Sequence, residues 1–200
     1  NSHLAVHDDT VARTGTNFHA VVHAQPPHLV YLSHRPEYRN EEIFSRRLIR
    51  WQQETIVLFG RASVVPRRVA WFGDPGLDYR YSGRAHPGTG WPEALDAVRA
   101  SIEQELGQPP NFVLLNRYCT GADSMGWHRD DEAGCTGDIA SLSLGAERAF
   151  LLRPDGACRS TRLILEHGSL LIFDGRVRHA LPKTRRVVGE RVNLTFRVLQ

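Results

Sequence analysis

Arg191-Val192-Asn193-Leu194-Thr195-Phe196-Arg197 alternates polar and apolar side chains without a break. Successive side chains of a β-strand point to opposite faces. Arg191, Asn193, Thr195 and Arg197 therefore share one face, and Val192, Leu194 and Phe196 take the other. A face carrying two arginines either points into water or, if it lines the inside of a barrel, needs something anionic against it, because an unpaired buried charge is costly. A small dicarboxylate would satisfy both guanidinium groups through charge-assisted hydrogen bonds.

Working outward from this last strand, residues 112–118, 138–144, 149–153, 162–166, 169–173 and 192–199 read as short strands bounded by Gly, Pro or Asp. Many short strands at such spacing predict a β-sandwich or jelly roll. Two helices are expected before them. Asn40-Glu41-Glu42 reads as a cap and acidic first turn, followed by Phe44, Leu48 and Trp51 on one helical stripe. The second helix starts near Pro92, buries Leu95, Val98, Ile102 and Leu106, and ends at Gly107. Helices ahead of a run of strands make the class α+β, with the helices as buttresses and a ligand in the barrel mouth.

Length and composition fit one domain: 200 residues with 41% hydrophobic and 24% charged side chains have the balance of a globular protein with a sizeable core. No apolar run approaches the roughly twenty residues that span a bilayer, and no targeting segment is read at the N-terminus, so no membrane partner is expected. Cys119, Cys135 and Cys158 are an odd count with no CxxC pair, which argues against a disulfide framework or zinc ribbon. A reduced compartment is expected, the cytoplasm of a bacterium or the nucleus of a eukaryote, and a monomer. Lys183 is the sole lysine among 25 cationic residues. Arg67-Arg68, Arg176 with Arg178, and Lys183 with Arg185-Arg186 form clusters, as on a surface that meets a polyanion or one that is merely solvated.

His128 and Asp130 are two apart, so on one strand they would share a face; His179 follows some fifty residues later, after a loop. Two imidazoles and a carboxylate make a facial triad that leaves open positions on an octahedral Fe(II). A His-x-Asp pair alone is common. The distal histidine and the terminal arginines make the combination specific.

These residues resemble the AlkB family of Fe(II)/2-oxoglutarate-dependent dioxygenases. The matching runs are Asn116-Arg117-Tyr118, His128-Arg129-Asp130-Asp131-Glu132, His179 and Arg191 to Arg197. Upstream, Phe59-Gly60-Arg61, Val65-Pro66-Arg67, Gly73-Asp74-Pro75-Gly76-Leu77 and Tyr79-Arg80-Tyr81-Ser82-Gly83 resemble the branch containing the animal homologue that repairs duplex DNA. The resemblance implies a double-stranded β-helix core over 111–199, a nucleotide-recognition lid over 55–90, and an N-terminal extension and helix over 1–54.

It further implies that His128, Asp130 and His179 hold iron and form the catalytic centre. Arg191 and Arg197 would take the two carboxylates of 2-oxoglutarate, with Asn116, Tyr118 and Asn193 assisting, and O2 as the other co-substrate. Phe59 would wedge into the duplex. Arg67, Tyr79, Tyr81, Ser82, Arg129, Asp131 and Glu132 would contact the substrate, with a cationic base between Tyr81 and the His128 ring gaining about 0.5–2 kcal/mol of cation–π attraction. The implied reaction removes N-methyl groups from 1-methyladenine and 3-methylcytosine in DNA, releasing formaldehyde, with methylated RNA as the alternative substrate. Outside nucleic acid, the rivals are a binding module without turnover and a hydroxylase of a protein or small molecule. The sequence departs from the animal relative at 174–178, a shorter loop, and at 155–160, which stands in place of a longer basic insertion.

Overall fold

The computed structural model describes residues 22–24, 51–58, 61–81 and 84–200. Among these, β13 (Arg191–Leu199) lies at the centre of a seven-stranded antiparallel sheet. On one side it pairs with β8 (Cys135–Gly145), then β11 (Leu170–Asp174) and β1 (Val22–Ala24). On the other it pairs with β6 (Phe112–Tyr118), then β3 (Arg61–Gly73) and β2 (Gln52–Leu58). A smaller sheet runs in the order β10 (Thr161–Leu165), β9 (Arg148–Arg153), β12 (Arg178–Leu181), β7 (Met125–His128). A hairpin of β4 (Asp78–Tyr81) and β5 (Arg84–Pro87) stands apart. This is the expected α+β jelly roll.

The large sheet is buried on both faces, for two different reasons. On its outer face Leu194 and Phe196 of β13 join Val113 and Leu115 of β6 and Ala140 and Leu142 of β8 against helix α1 (Asp96–Leu106), which contributes Val98 and Ile102. Burying each large aliphatic or aromatic side chain there stabilises the fold by about 1.5–3 kcal/mol. The helix begins after the expected Pro92 with a single 3-10 turn, Glu93–Leu95, and stops at Gly107. That glycine takes a left-handed φ of 70° and donates its N–H to Glu103 O at 2.8 Å, a close that a residue without Cβ adopts cheaply. On the inner face, Ile139, Leu171 and Phe173 pack against Phe150, Leu152, Leu165 and Leu181 of the small sheet. The polar residues of β13 face the space left between the sheets.

Within the segment expected as a lid, β3 pairs with β6 from Arg68↔Arg117 to Gly73↔Phe112, and among the described residues the β4–β5 hairpin forms a sheet of its own. The strand expectations need two corrections. β8 starts at Cys135 rather than 138, since Gly137 takes a φ of 79° at an irregularity where the register with β13 shifts between Phe196 and Val198. A bulge carries the strand through a glycine that reads as a terminator. The four-residue strands β7 and β12 were not legible, being too short to show a period. The first expected helix falls at 40–50, outside the described residues, and Trp51 stands just before β2.

Candidate metal centre and co-substrate cleft

β7 and β12 pair with His128 directly opposite His179, which sets the two rings 4.1 Å apart between centroids. Each imidazole is oriented by its own backbone. His128 Nδ1–H donates to Gly126 O at 2.8 Å and His179 Nδ1–H to Val177 O at 2.9 Å. A carbonyl only accepts, so Nδ1 carries the proton in both rings and Nε2 presents its lone pair. Phe150 and Phe173 flank the His179 ring at 5.5 and 4.8 Å.

Asp130 reaches this pair by a different route from the one the sequence implies. β7 ends at His128, so Asp130 does not share a strand with it. Its backbone N–H donates to Gly175 O at 2.9 Å, and its carboxylate accepts from Arg197 Nη2 at 2.7 Å. The close approach requires a glycine: a Cβ at Gly175 would lie 2.5 Å from Asp130 O. The carboxylate oxygens then sit 3.6 Å from His128 Nε2 and 3.9 Å from His179 Nε2, within the span of two metal–ligand bonds of about 2.1 Å each. Together the three residues form a group able to hold a metal ion, its ligand atoms all within 4.8 Å.

The charges are arranged for this. Burial lowers His128 to about 4, with His179 adding to the effect, and burial also lowers His179, so both rings are neutral ligands near pH 7. Burial alone would raise the Asp130 carboxyl, but the Arg197 guanidinium beside it leads the opposing charges that hold it below its ordinary value.

The triad lies on the wall of a cleft whose lining includes Asn116, Tyr118, Arg191, Asn193, Thr195 and Arg197. Arg191 and Arg197 are both fully buried. Arg197 has Asp130 as counter-charge. Arg191 donates to Ser143 Oγ at 2.8 Å and lies over the Tyr118 ring, and among the described residues no carboxylate pairs with it. Burial lowers its guanidinium to about 10, and the Nε of each arginine has no hydrogen-bond partner. Buried donors of this kind are rarely left unmet, so the cleft is built for an anion.

The remaining expected site residues divide. Asn116 accepts from Arg67 Nε at 2.7 Å, and both line the cleft. Asn193 Nδ2 donates to Ser141 Oγ at 2.8 Å and Leu142 O at 3.0 Å. Tyr79 is buried and outside the cleft lining; its hydroxyl donates to Glu132 at 2.9 Å, and its ring packs 5.3 Å from the Arg197 guanidinium. Burial raises the Glu132 carboxyl, and Asp130 raises it further. Asp131 is exposed and absent from the cleft lining; it borders a second hollow with Asp130, Cys135, Asp138, Asp174 and Arg176. Arg129 points away as well, donating to Asp155 at 2.6 Å. Phe59 and Ser82 lie outside the described residues, and Tyr81 is placed by its backbone alone.

Sequence reasoning missed Ser141, Ser143 and Gly175. The two serines had a signal, since Ser141-Leu142-Ser143-Leu144 alternates like β13 and pairs with it at Thr195↔Ser141 and Asn193↔Ser143. Gly175 had none.

A jelly roll with this triad and arginine wall defines a class, and comparison with known proteins agrees. The chain matches the 2OG-Fe(II) oxygenase superfamily over residues 30–197 and belongs to that family. Among its relatives, DNA oxidative demethylase ALKBH2 of Mus musculus is 41% identical over 156 residues, covering 71% of this chain and 65% of that protein. The alpha-ketoglutarate-dependent dioxygenase alkB homolog 3 of Homo sapiens is 34% identical over 165 residues, covering 74% and 57% respectively. The chain thus spans less than two thirds of the length of these relatives. In fold it is similar to an oxidoreductase of the 2OG-Fe(II) oxygenase family from Burkholderia pseudomallei, with a TM-score of 0.60 at 14% identity, covering 98% of this chain and 90% of that one. Membership carries Fe(II) as the metal and 2-oxoglutarate and O2 as co-substrates, and the residues present fit them: neutral nitrogen donors and a carboxylate for the ion, and for the dicarboxylate a buried guanidinium with no carboxylate partner among the described residues.

No helix among the described residues is long and apolar enough to cross a membrane.

Proposed function

We propose that this protein is an oxidative DNA dealkylase that removes N-methyl groups from 1-methyladenine and 3-methylcytosine. The observation that carries the reading is one cleft lined by both the His128/Asp130/His179 triad and Arg191, a buried cation without an acidic partner among the described residues. The similarity to proteins named DNA oxidative demethylase, at 39–41% identity, supplies the substrate class.

When bound, Fe(II) with 2-oxoglutarate and O2 supplies an oxidant strong enough for an inert N-methyl C–H bond, which acid–base side chains are not. The overall balance consumes O2 and 2-oxoglutarate and yields succinate, CO2, formaldehyde and the unmethylated base. This chain's own residues do the placing. His128, Asp130 and His179 would hold the ion. Arg191 would take one carboxylate of 2-oxoglutarate, with Ser143 steering its guanidinium; Arg197 steadies Asp130 and would offer its remaining donors to the other carboxylate. Asn193 and Asn116 are held by Ser141 and Arg67, which keeps the wall rigid around the co-substrate.

Both favoured bases are cations at neutral pH. Glu132, in the same loop as Asp130 and fixed by Tyr79, puts negative charge beside the site and favours them over neutral bases; Asp131 sits too far out to share that role. N-methylation also blocks Watson–Crick pairing, which lowers the cost of flipping the base from the stack. Phe59, Tyr81 and Ser82 keep their roles in wedging and base contact on the resemblance alone. A reduced compartment, read from three cysteines that form no CxxC pair, and a monomeric state belong to the same proposal.

The test is formaldehyde and succinate release from oligonucleotides carrying 1-methyladenine, with Fe(II), ascorbate and 2-oxoglutarate. Release that depends on methylated DNA and vanishes in His128→Ala is the expected result. Release only from methylated RNA, or none from either, would overturn the DNA reading.

A further inference from the structure

Trp127 is one of few large apolar side chains left exposed among the described residues, at 36%. It sits on β7, the edge strand of the small sheet, immediately before His128. Strand alternation turns Trp127 to the outer face, while the His128 ring lines the cleft and remains 23% exposed at its mouth. Nothing in the core explains a tryptophan here. Its partner is a cation: the Arg153 guanidinium lies 4.7 Å from the indole centroid. Arg153 ends β9, whose alternate residues Phe150 and Leu152 point into the core, and it pairs in register with Arg178 of β12. Among the described residues no carboxylate pairs with Arg153, and the nearby Asp155 is engaged by Arg129.

We propose that Trp127, backed by Arg153, is a stacking platform for a nucleotide that flanks the one entering the cleft. The proposal rests on the nucleic-acid reading above and adds a positioning residue to it. An indole offers its face to any base, which gives sequence-tolerant affinity for single strands. Arginine beside it suits the adjoining phosphate, and the cation stack holds the ring in one orientation, so less freedom is lost on docking. A polypeptide occupant would find two arginines and little apolar area around one ring, which is why an anionic strand fits better.

The experiment places 2-aminopurine on either side of a 1-methyladenine in short single-stranded oligonucleotides. Binding and base fluorescence are read with the full chain loaded with Mn(II) and 2-oxoglutarate. Stacking on Trp127 should quench the probe on one side of the lesion, in the wild type and in Trp127→Phe but not in Trp127→Ala. Trp127→Ala should bind roughly tenfold more weakly, and Arg153→Ala should lower the salt dependence of binding by about one phosphate contact. An exposed ring leaves no core cavity, so the thermal midpoint of Trp127→Ala serves as the folding control, and recovery in Trp127→Phe separates stacking from a merely structural role.

Equal affinity and equal quenching in wild type and Trp127→Ala would overturn the platform even if formaldehyde is released. Trp127-dependent quenching without formaldehyde release would uphold the platform and overturn the dealkylase reading. Failure to bind any oligonucleotide would overturn both.

Discussion

Replacing Arg197 by methionine should destabilise the metal-free protein severely and make its stability depend on a divalent ion. Arg197 Nη2 donates to Asp130 at 2.7 Å with both side chains buried, at 1% and 6% exposure. Removing one partner of such a pair leaves an uncompensated buried charge and costs about 3–5 kcal/mol. The imidazoles 3.6 and 3.9 Å away cannot replace the lost cation, because burial keeps His128 neutral down to about 4 and lowers His179 as well. At about 2–4 °C per kcal/mol for a chain of this size, the thermal midpoint in EDTA should fall by about 6–20 °C. A divalent ion in the triad supplies the missing positive charge. Saturating Mn(II) should therefore raise the midpoint more in Arg197→Met than in wild type, and by linkage the variant should bind the ion more tightly. The assay is thermal unfolding by circular dichroism across EDTA and Mn(II) series. Asp130→Asn and the double variant close a mutant cycle in which the double variant loses less than the sum of the two. A drop in EDTA of under about 2 °C, or the same Mn(II)-induced shift in both proteins, would refute this account of the charges.

Arg191→Met should behave in the opposite way. It removes a buried cation that has no carboxylate partner among the described residues, so the metal-free midpoint should hold or rise, while the KM for 2-oxoglutarate climbs by about ten- to a hundredfold, the worth of one or two charged hydrogen bonds; a midpoint loss like that of Arg197→Met would refute the contrast. Gly175→Ala places a Cβ 2.5 Å from Asp130 O, and the shift it forces, at about 1–3 kcal/mol, should weaken Mn(II) binding by about tenfold or more, which calorimetry would read; unaltered affinity would mean that Asp130 is not held there. For pH, His128 has its folded value depressed from 6.5 to about 4. Between these values the unfolded chain binds a proton that the folded one does not, so stability is greatest above the upper value and falls as pH drops through the window. Denaturant unfolding of the metal-free protein should show that slope, with His128→Ala losing part of it; identical slopes would count against a buried neutral His128.

Much of the fold was legible because its signals are local. The alternation of Arg191 to Arg197 is carried by adjacent residues, and it appears in the structure as a strand with polar groups to the cleft and Leu194 and Phe196 to the helix. Pro92 and Gly107 bracket α1 for the same reason: backbone conformation there depends on the residue itself. What misled was chemistry set by distant partners. Asp130 and His128 converge without sharing a strand, because Gly175 and Arg197, 45 and 67 residues further along, hold the carboxylate in place.

The sequence by itself determined the donor set, the polar face of the last strand and the jelly-roll class, since side-chain type and period are properties of the chain alone. Only the tertiary structure decided which groups are paired. It put Arg197 on Asp130 and left Arg191 without an acidic partner among the described residues, drew Glu132 inward to Tyr79 while Asp131 turned out, and set Trp127 against Arg153 beside the cleft. Charge compensation in a buried site acts through space over a few ångströms, and those distances exist only once the sheets have closed on each other.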